Sequence, residues 1–399
     1  MRALANLGAL SQYRGRLIEA IDCYRRALAV APEDLEIYCN LAGALVDAGF
    51  GDQALGECAA ALELSPGHPY VLAAQGAVLV SLERFGDALP VLEQAIGRNP
   101  GDDMALINLA HACHRLGNVD ESLRLLRRAS RANPNNARAV ADLAWLLTAT
   151  GQAAGALPVC REFLARHPGE RLVLAAHAAA LLESGNVDDA AVLLDYPRLL
   201  QVEDVLAPQG YSSLEAFHAE LADAVVNNPS LLAEPASKST RGGRQTGELE
   251  LAATPALAAL GVLFTEAVER YVQRLRGEGL ASHAAMAYAA PVLTYRAWGT
   301  LLEGGGHQAP HLHPLGFLSG VYYVGLPSDM GAAGGHAGWL EFGRPAERFA
   351  QALRPSVRLV EPRPGRLVLF PSYFLHRTLP FSSAEARISI AFDAVPKGA

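Results

Sequence analysis

Cysteine is scarce in this sequence, and long apolar runs are missing from it. Five cysteines, Cys23, Cys39, Cys58, Cys113 and Cys160, are scattered at wide spacings over 399 residues, with no CxxC pair. An odd, dispersed set does not build a disulfide framework or a thiolate zinc cluster. Free thiols packed between helices, in a reducing cytoplasm, are the expectation. No stretch of 18 apolar residues occurs, which removes a spanning helix. The opening residues, MRALANLGALSQYRGRL, hold no basic segment followed by a long apolar run, so no secretory signal is expected. Basic charge is in deficit: 33 Lys and Arg face 41 Asp and Glu, a formal charge of −8. A general nucleic-acid binder needs a basic surface that releases counterions, so neither nucleic acid nor a membrane is expected as a partner. The sequence also lacks GxSxG, a Walker loop and a GxGxxG after a strand. What remains is a globular composition, 51% apolar and 19% charged, long enough for two or three domains with cores of their own.

The first half repeats itself. Prolines fall at Pro32, Pro66, Pro100, Pro134 and Pro168, always 34 residues apart. Small residues keep the same step in two series: Gly8, Ala42, Gly76, Ala110, Ala144, Ala178, and Ala20, Ala54, Ala88, Ser122, Ala156, Ala190. Between them run Gly15, Gly49, Gly117, Gly151 and Gly185, with Glu83 the exception. The pattern resembles tetratricopeptide repeats, whose unit is a 34-residue helix–turn–helix. Small residues suit the helix contact. The glycine suits a left-handed turn after the first helix, and the proline closes the second helix or opens the next. Five full repeats cover about 1–172, and a sixth, without its closing proline, is expected as cap or junction. The concave face of such a solenoid offers a groove for a protein or peptide; packing within the chain or self-association into a homo-oligomer is the other use of that surface.

Beyond about Pro197 the period is lost. SSLEAFHAELADAVV predicts an amphipathic helix capped by Ser212 or Ser213. NNPSLLAEPASKSTRGGRQTG, rich in turn formers, predicts a loop, either solvated or lying as a flap over a site. Thr254 and Pro255 open a long helix whose Leu257, Leu260, Phe264, Val268 and Tyr271 recur at helical spacing. After about Pro291 the period changes from 3.6 to 2, and VLTYRAW, FLSGVYYV, GWLEF, VRLVE, GRLVLF and RISIAF predict short strands of a sandwich or barrel.

The chemistry lies in the histidines. Five of the twelve fall between 307 and 376: His307, His311, His313, His336 and His376. On a strand, the i, i+2 spacing puts His311 and His313 on one face. His376 follows 63 residues after His313, and Arg387, 11 residues later, shares a strand face with Ser389. A lone HxH is weak evidence for a metal. In order with a distal histidine, the FPS strand and an RxS, it becomes stronger evidence; Arg387 taken alone reads as a structural ion pair.

The run HLHPLGFLSGVYYV, GWLEFG, PRPGRLVLFPSYFLHRTLPF, RISIAF resembles the double-stranded β-helix of iron(II)/2-oxoglutarate dioxygenases, in the prolyl-hydroxylase-like branch that shows HxD, GGxLxF, GxLxxFPS, H and RxS in that order. The match covers about 285–395, with Gln245 to Gly279 fitting more loosely. It implies an α-solenoid followed by an α+β domain with a double-stranded β-helix (jelly-roll) core: repeats over 1–196, a helical lead-in over 197–280 and the oxygenase core over 281–399. It implies Fe(II), 2-oxoglutarate and dioxygen as cofactor and cosubstrates, and hydroxylation of a C–H bond coupled to release of succinate and carbon dioxide. By position, His311, His313 and His376 are the expected metal ligands and catalytic set. Arg387 and Ser389 are expected on the distal carboxylate of 2-oxoglutarate, with Tyr323, or else Tyr322, supporting it. One departure stands out: His313 occupies the place of the usual Asp, leaving the site one negative charge poorer. Glu341 is in the wrong strand to replace it; His307 is a reserve ligand, although Gly304, Gly305 and Gly306 before it suggest a loop, and His336 reads as a loop histidine. The repeats favour a protein or peptide substrate, as in the leprecan-type prolyl hydroxylases that pair helical repeats with this barrel. The alternative is a non-catalytic, repeat-based interaction module. A cupin-like oxygenase needing no keto acid is disfavoured by the RxS.

Overall fold

The computed structural model describes residues 1–399 except 235–237, 291, 331–334, 346–356 and 398–399. Each 34-residue period folds as two helices. First helices are α1 (Arg2–Tyr13), α3 (Leu35–Asp47), α5 (Pro69–Ser81), α7 (Asp103–Arg115), α9 (Ala137–Ala149) and α11 (Arg171–Glu183). They alternate with α2 (Leu17–Val30), α4 (Gly51–Leu64), α6 (Phe85–Arg98), α8 (Val119–Ala132), α10 (Ala153–Arg166) and α12 (Val187–Leu194). The periodic prolines all stand two residues past a second helix, so they stop helices and none of the five opens one. The periodic glycines take positive φ, as at Gly49 (86°) and Gly117 (84°). Glu83 is forced into the same turn at φ 57°. The small positions are contact points: a Cβ on Gly8 would lie 2.8 Å from the Tyr24 ring, and one on Gly76 would lie 2.4 Å from Leu92. Ser122, in an alanine series, spends its hydroxyl on the Ala110 carbonyl at 2.7 Å. All five cysteines are free and buried. Among the described residues no helix is long and apolar enough to cross a membrane.

The chain forms two compact units, Met1–Leu146 and Leu147–Glu234 with Lys238–Ala399, divided inside α9. The second unit therefore contains α10, α11 and α12. It continues through α13 (Tyr196–Leu199), β1 (Gln201–Asp204), α14 (Leu214–Val226), β2 (Leu232–Ala233), β3 (Thr240–Gln245) and α15 (Pro255–Gly277). Seven strands follow: β4 (Leu293–His311), β5 (Leu318–Gly325), β6 (Leu340–Phe342), β7 (Arg358–Val360), β8 (Arg366–Pro371), β9 (His376–Thr378) and β10 (Arg387–Pro396). The sheet runs β1-β8-β5-β10-β4-β9-β6-β7, with β3 also on β4 and β2 on β3. Every pairing is antiparallel.

Helices α14 and α15 start at Ser213 and Thr254, whose hydroxyls accept from Ala216 N–H and Leu257 N–H. Their apolar faces close one side of the sheet. Phe264 stacks on Phe392 with centroids 3.9 Å apart, and Phe217, Leu221 and Leu260 are fully buried beside them. Burying each such side chain contributes about 1.5–3 kcal/mol. The sixth repeat and the turn that leads into it are built into the same core. Leu174 belongs to it, a Cβ on Gly169 would meet the Tyr288 ring at 2.4 Å, and Arg171 donates to the carbonyls of Pro314 (2.8 Å) and Leu315 (3.2 Å).

Residues 227–247, expected as a loop, are instead partly strand: β2 pairs with β3, and β3 joins the sheet on β4. Residues 235–237 of that stretch lie outside the described residues. The glycines that read as loop formers permit close backbone approach. A Cβ on Gly243 would sit 2.6 Å from the Leu301 carbonyl, and one on Gly242 3.0 Å from Gly306 Cα.

Candidate active site

Strand pairing brings the histidines together. β4 ends at His311, which lies directly across from His376 at the start of β9. His313 lies two residues beyond β4 and is anchored by its N–H to the Ser372 carbonyl at 3.0 Å. The turn 372–375 that leads into His376 is clamped by the sixth repeat, because the Tyr373 hydroxyl donates to the Leu193 carbonyl at 2.6 Å. The three ring centroids are 4.2, 5.0 and 5.2 Å apart, and one ligand nitrogen from each ring lies within 4.8 Å of the others. His313 and His376 are buried and His311 is half-buried.

The other nitrogen of each ring is occupied. Nδ1 of His311 meets the Ala309 carbonyl at 2.8 Å, Nδ1 of His376 meets the Phe374 carbonyl at 2.9 Å, and Nδ1 of His313 meets Asp393 Oδ1 at 2.5 Å. Each acceptor fixes the tautomer with the proton on Nδ1, so three Nε2 lone pairs converge. Burial, then the neighbouring His313, pushes His311 down to about 3. Burial, then His311 and His313, holds His376 well below the usual imidazole range. Both rings are neutral at neutral pH, the state a metal requires.

A second polar cluster lies on β10. Arg387, Ser389, Ala391 and Asp393 alternate onto one face. Ser389 is directly opposite Tyr323 on β5 and Thr300 on β4, and Thr300 is opposite Gln245 on β3. Arg387 is 1% exposed, Nη1 reaches only Ser389 Oγ at 3.4 Å, and its carbon lies 5.0 Å from the Tyr323 ring centre. No acidic partner faces it among the described residues. Arg387 Nε, Tyr323 Oη and Thr300 Oγ1 are all buried with no hydrogen-bond partner. Burial lowers the guanidinium's pKa and raises that of the phenol. Buried groups of this kind are costly unless something pairs with them.

The family model described as "Putative 2OG-Fe(II) oxygenase" matches residues 296–393, and two tetratricopeptide-repeat models match 1–34 and 79–146. The chain carries tetratricopeptide repeats and a C-terminal 2-oxoglutarate/iron(II) oxygenase-family domain. No curated protein matches it significantly. Similar solved structures include MamA from Desulfovibrio magneticus RS-1, at 21% identity over 41% of this chain and 93% of that one, TM-score 0.35. A thermophilic tetratricopeptide-repeat protein of Thermus thermophilus, TTC0263, is 23% identical over 45% and 98%, TM-score 0.41. PilF of Pseudomonas aeruginosa is 20% identical over 49% and 90%, TM-score 0.42.

The residues of the oxygenase-family domain fit both groups the family implies. Three imidazoles that each bring a nitrogen within reach of the others suit a divalent metal, and a buried guanidinium with no acidic partner among the described residues suits a carboxylate. Of the expected residues, His311, His313 and His376 form one cluster, and Arg387, Ser389 and Tyr323 form the other. Tyr322 does not join them: it lies opposite Ile390, on the other face of β5, and its hydroxyl meets His218 Nε2 at 2.8 Å. Glu341 is turned away from the histidine cluster and paired with Arg344 and Arg377, each at 2.5 Å. Its strand neighbour Phe342 faces His376 instead. His307 stays on β4 with Nδ1 towards its own Gly305 carbonyl, and His336 packs on Trp339. Sequence reasoning missed Asp393 and Thr300. Asp393 could have been found by extending the alternation from Arg387 and Ser389. Thr300 carries no signal outside the strand register.

Proposed function

We propose that the C-terminal unit is a 2-oxoglutarate- and iron(II)-dependent dioxygenase with a double-stranded β-helix core, hydroxylating a C–H bond of a protein or peptide recruited by the repeats. The observation that carries this reading is the pairing of three converging imidazole nitrogens with a buried guanidinium that has no acidic partner among the described residues. His311, His313 and His376 would hold iron(II), which when bound would supply the redox chemistry that couples oxidative decarboxylation of 2-oxoglutarate to hydroxylation of the substrate.

The chain's own residues bind and position. Arg387 takes the distal carboxylate of 2-oxoglutarate through its planar fork, with the hydroxyls of Ser389, Tyr323 and Thr300 around it. The backbone carbonyls of Ala309 and Phe374 hold two imidazoles in the ligand tautomer. Phe370 and Phe342, with ring centres 4.6 and 6.0 Å from that of His376, keep water from its side of the centre. A cytoplasmic setting suits both ferrous iron and five free thiols.

The test is anaerobic loading of the purified chain with iron(II), then addition of 2-oxoglutarate and oxygen with succinate measured. Iron-dependent succinate release, lost in His376→Ala, is expected. A chain that takes up no iron and releases no succinate overturns the reading and leaves the repeat-based interaction module. The recruited target would be sought by comparing peptides captured by the full chain for a mass gain of one oxygen.

A further inference from the structure

The carboxylate missing from the histidine cluster is present one contact further out. We propose that Asp393 is a positioning residue of the metal centre. It holds His313 in the tautomer whose Nε2 faces the metal, and it supplies from behind that ring the negative charge an aspartate ligand would otherwise bring. This rests on the metal reading of the three histidines given above.

The arrangement around Asp393 is built for the purpose. Its Oδ1 receives His313 Nδ1–H at 2.5 Å and the Ser319 hydroxyl at 2.7 Å, and Ser319 Oγ lies 2.7 Å from Ser372 Oγ. All four residues are buried. Nothing larger than glycine fits at 316, where a Cβ would meet Ser372 Oγ at 2.7 Å and Asp393 Cβ at 3.1 Å. Among the described residues Asp393 has no Arg or Lys partner; its carboxylate faces His313 and Ser319. Its charge is therefore not consumed by a guanidinium and acts on the ring. His311 and His376 give their Nδ1 protons to neutral carbonyls. Only the histidine standing where the family usually has aspartate is backed by a carboxylate. Such a partner raises the basicity of the ligating nitrogen and fixes its aim, and losing one typically costs 10–100-fold in metal affinity.

The experiment uses the full chain and cobalt(II), an oxygen-stable probe, titrated anaerobically by its visible absorption. Asp393→Asn keeps the shape and an acceptor oxygen but removes the charge. Cobalt(II) affinity is expected to fall roughly 10–100-fold, with the thermal midpoint of the metal-free protein little changed. The decisive arm is the His313→Asp background. There two carboxylates would face each other, so Asp393→Asn should raise cobalt(II) affinity at least several-fold over His313→Asp alone. A merely structural role predicts losses in both backgrounds. Unchanged affinity in folded Asp393→Asn, or a loss of the same size in both backgrounds, overturns the proposal. If Asp393→Asn does not fold, Ser319→Ala removes one hydrogen bond from the same carboxylate; a several-fold weakening supports the proposal and unchanged affinity overturns it. The metal reading is tested separately: cobalt(II) binding that survives His376→Ala sinks that reading whatever Asp393 does.

Discussion

Arg387 is the residue whose surroundings demand most from a ligand. A fully buried guanidinium with no carboxylate beside it is stable only if an anion joins it or if the fold absorbs the cost. Replacing it by Met should weaken 2-oxoglutarate binding by about 2–4 kcal/mol and leave iron content unchanged, as read by calorimetry on the metal-loaded chain. Thr300→Val should cost about 1 kcal/mol of the same affinity, the net value of one neutral hydrogen bond. An equal effect of both variants on iron would mean that the two clusters are not separate. Arg387 and Ser389 were legible because alternation along one strand is local information. Thr300 was not, because only pairing across β4 and β10 puts it beside Ser389. At Glu83 the conflict between residue and backbone is visible in both sequence and structure. Glu83→Gly should stabilise the repeats by about 1 kcal/mol by relieving a left-handed conformation, less the small worth of the exposed Arg115 pair at 3.5 Å. Chemical denaturation would show a higher midpoint at unchanged slope; a lower midpoint would contradict the strain at this turn.

At the scale of elements, helix ends were readable and strand partners were not. Thr254, Ser213 and the periodic glycines act through hydrogen bonds and dihedrals within a few residues of themselves. The pairing of β3 with β4 joins segments about sixty residues apart, and composition pointed the other way. Its glycines are there for clearance, and that predicts a cost. Gly243→Ala would press a methyl against the Leu301 carbonyl, a backbone atom that cannot swing aside. A loss of about 1–3 kcal/mol in stability is expected, measured by thermal unfolding. A neutral result would mean that β3 is loosely attached. The two tyrosines of β5 make the same point more gently. Alternation says that one faces in, but only the register to Ser389 and the bond from Tyr322 to His218 say which.

For the whole molecule, the compact unit begins at Leu147, well before the repeat period ends. A fragment of residues 137–399, which keeps α9 whole, should fold and bind metal. One of residues 197–399 loses Leu174 from the core, the Arg171 bonds to Pro314 and Leu315, and the clamp of Leu193 on Tyr373. It should aggregate or melt far lower, as seen by circular dichroism and size-exclusion chromatography. Equal stability of the two fragments would contradict the integration of the sixth repeat. Acidification should also destabilise the metal-free chain. Burial holds His177 and His218 below their ordinary value of 6.5, and His311 and His376 shift the same way. Below about pH 6.5 the unfolded chain therefore takes up protons that the folded chain refuses, and stability falls as pH falls. The thermal midpoint should drop between pH 7.5 and 5.5; a flat profile would mean that these rings are solvated. By itself the sequence determined the repeat and the helix ends, and it set three histidines and an arginine in order along the second half, because each is written in spacing along one chain. The tertiary structure alone decided that Asp393 backs His313, that Thr300 lies across from Ser389, that Tyr323 and not Tyr322 faces inward, and that the last repeat shares the sheet's core. Those depend on which distant residues the strand register and core packing bring within reach of a hydrogen bond, and no periodicity along the chain encodes that.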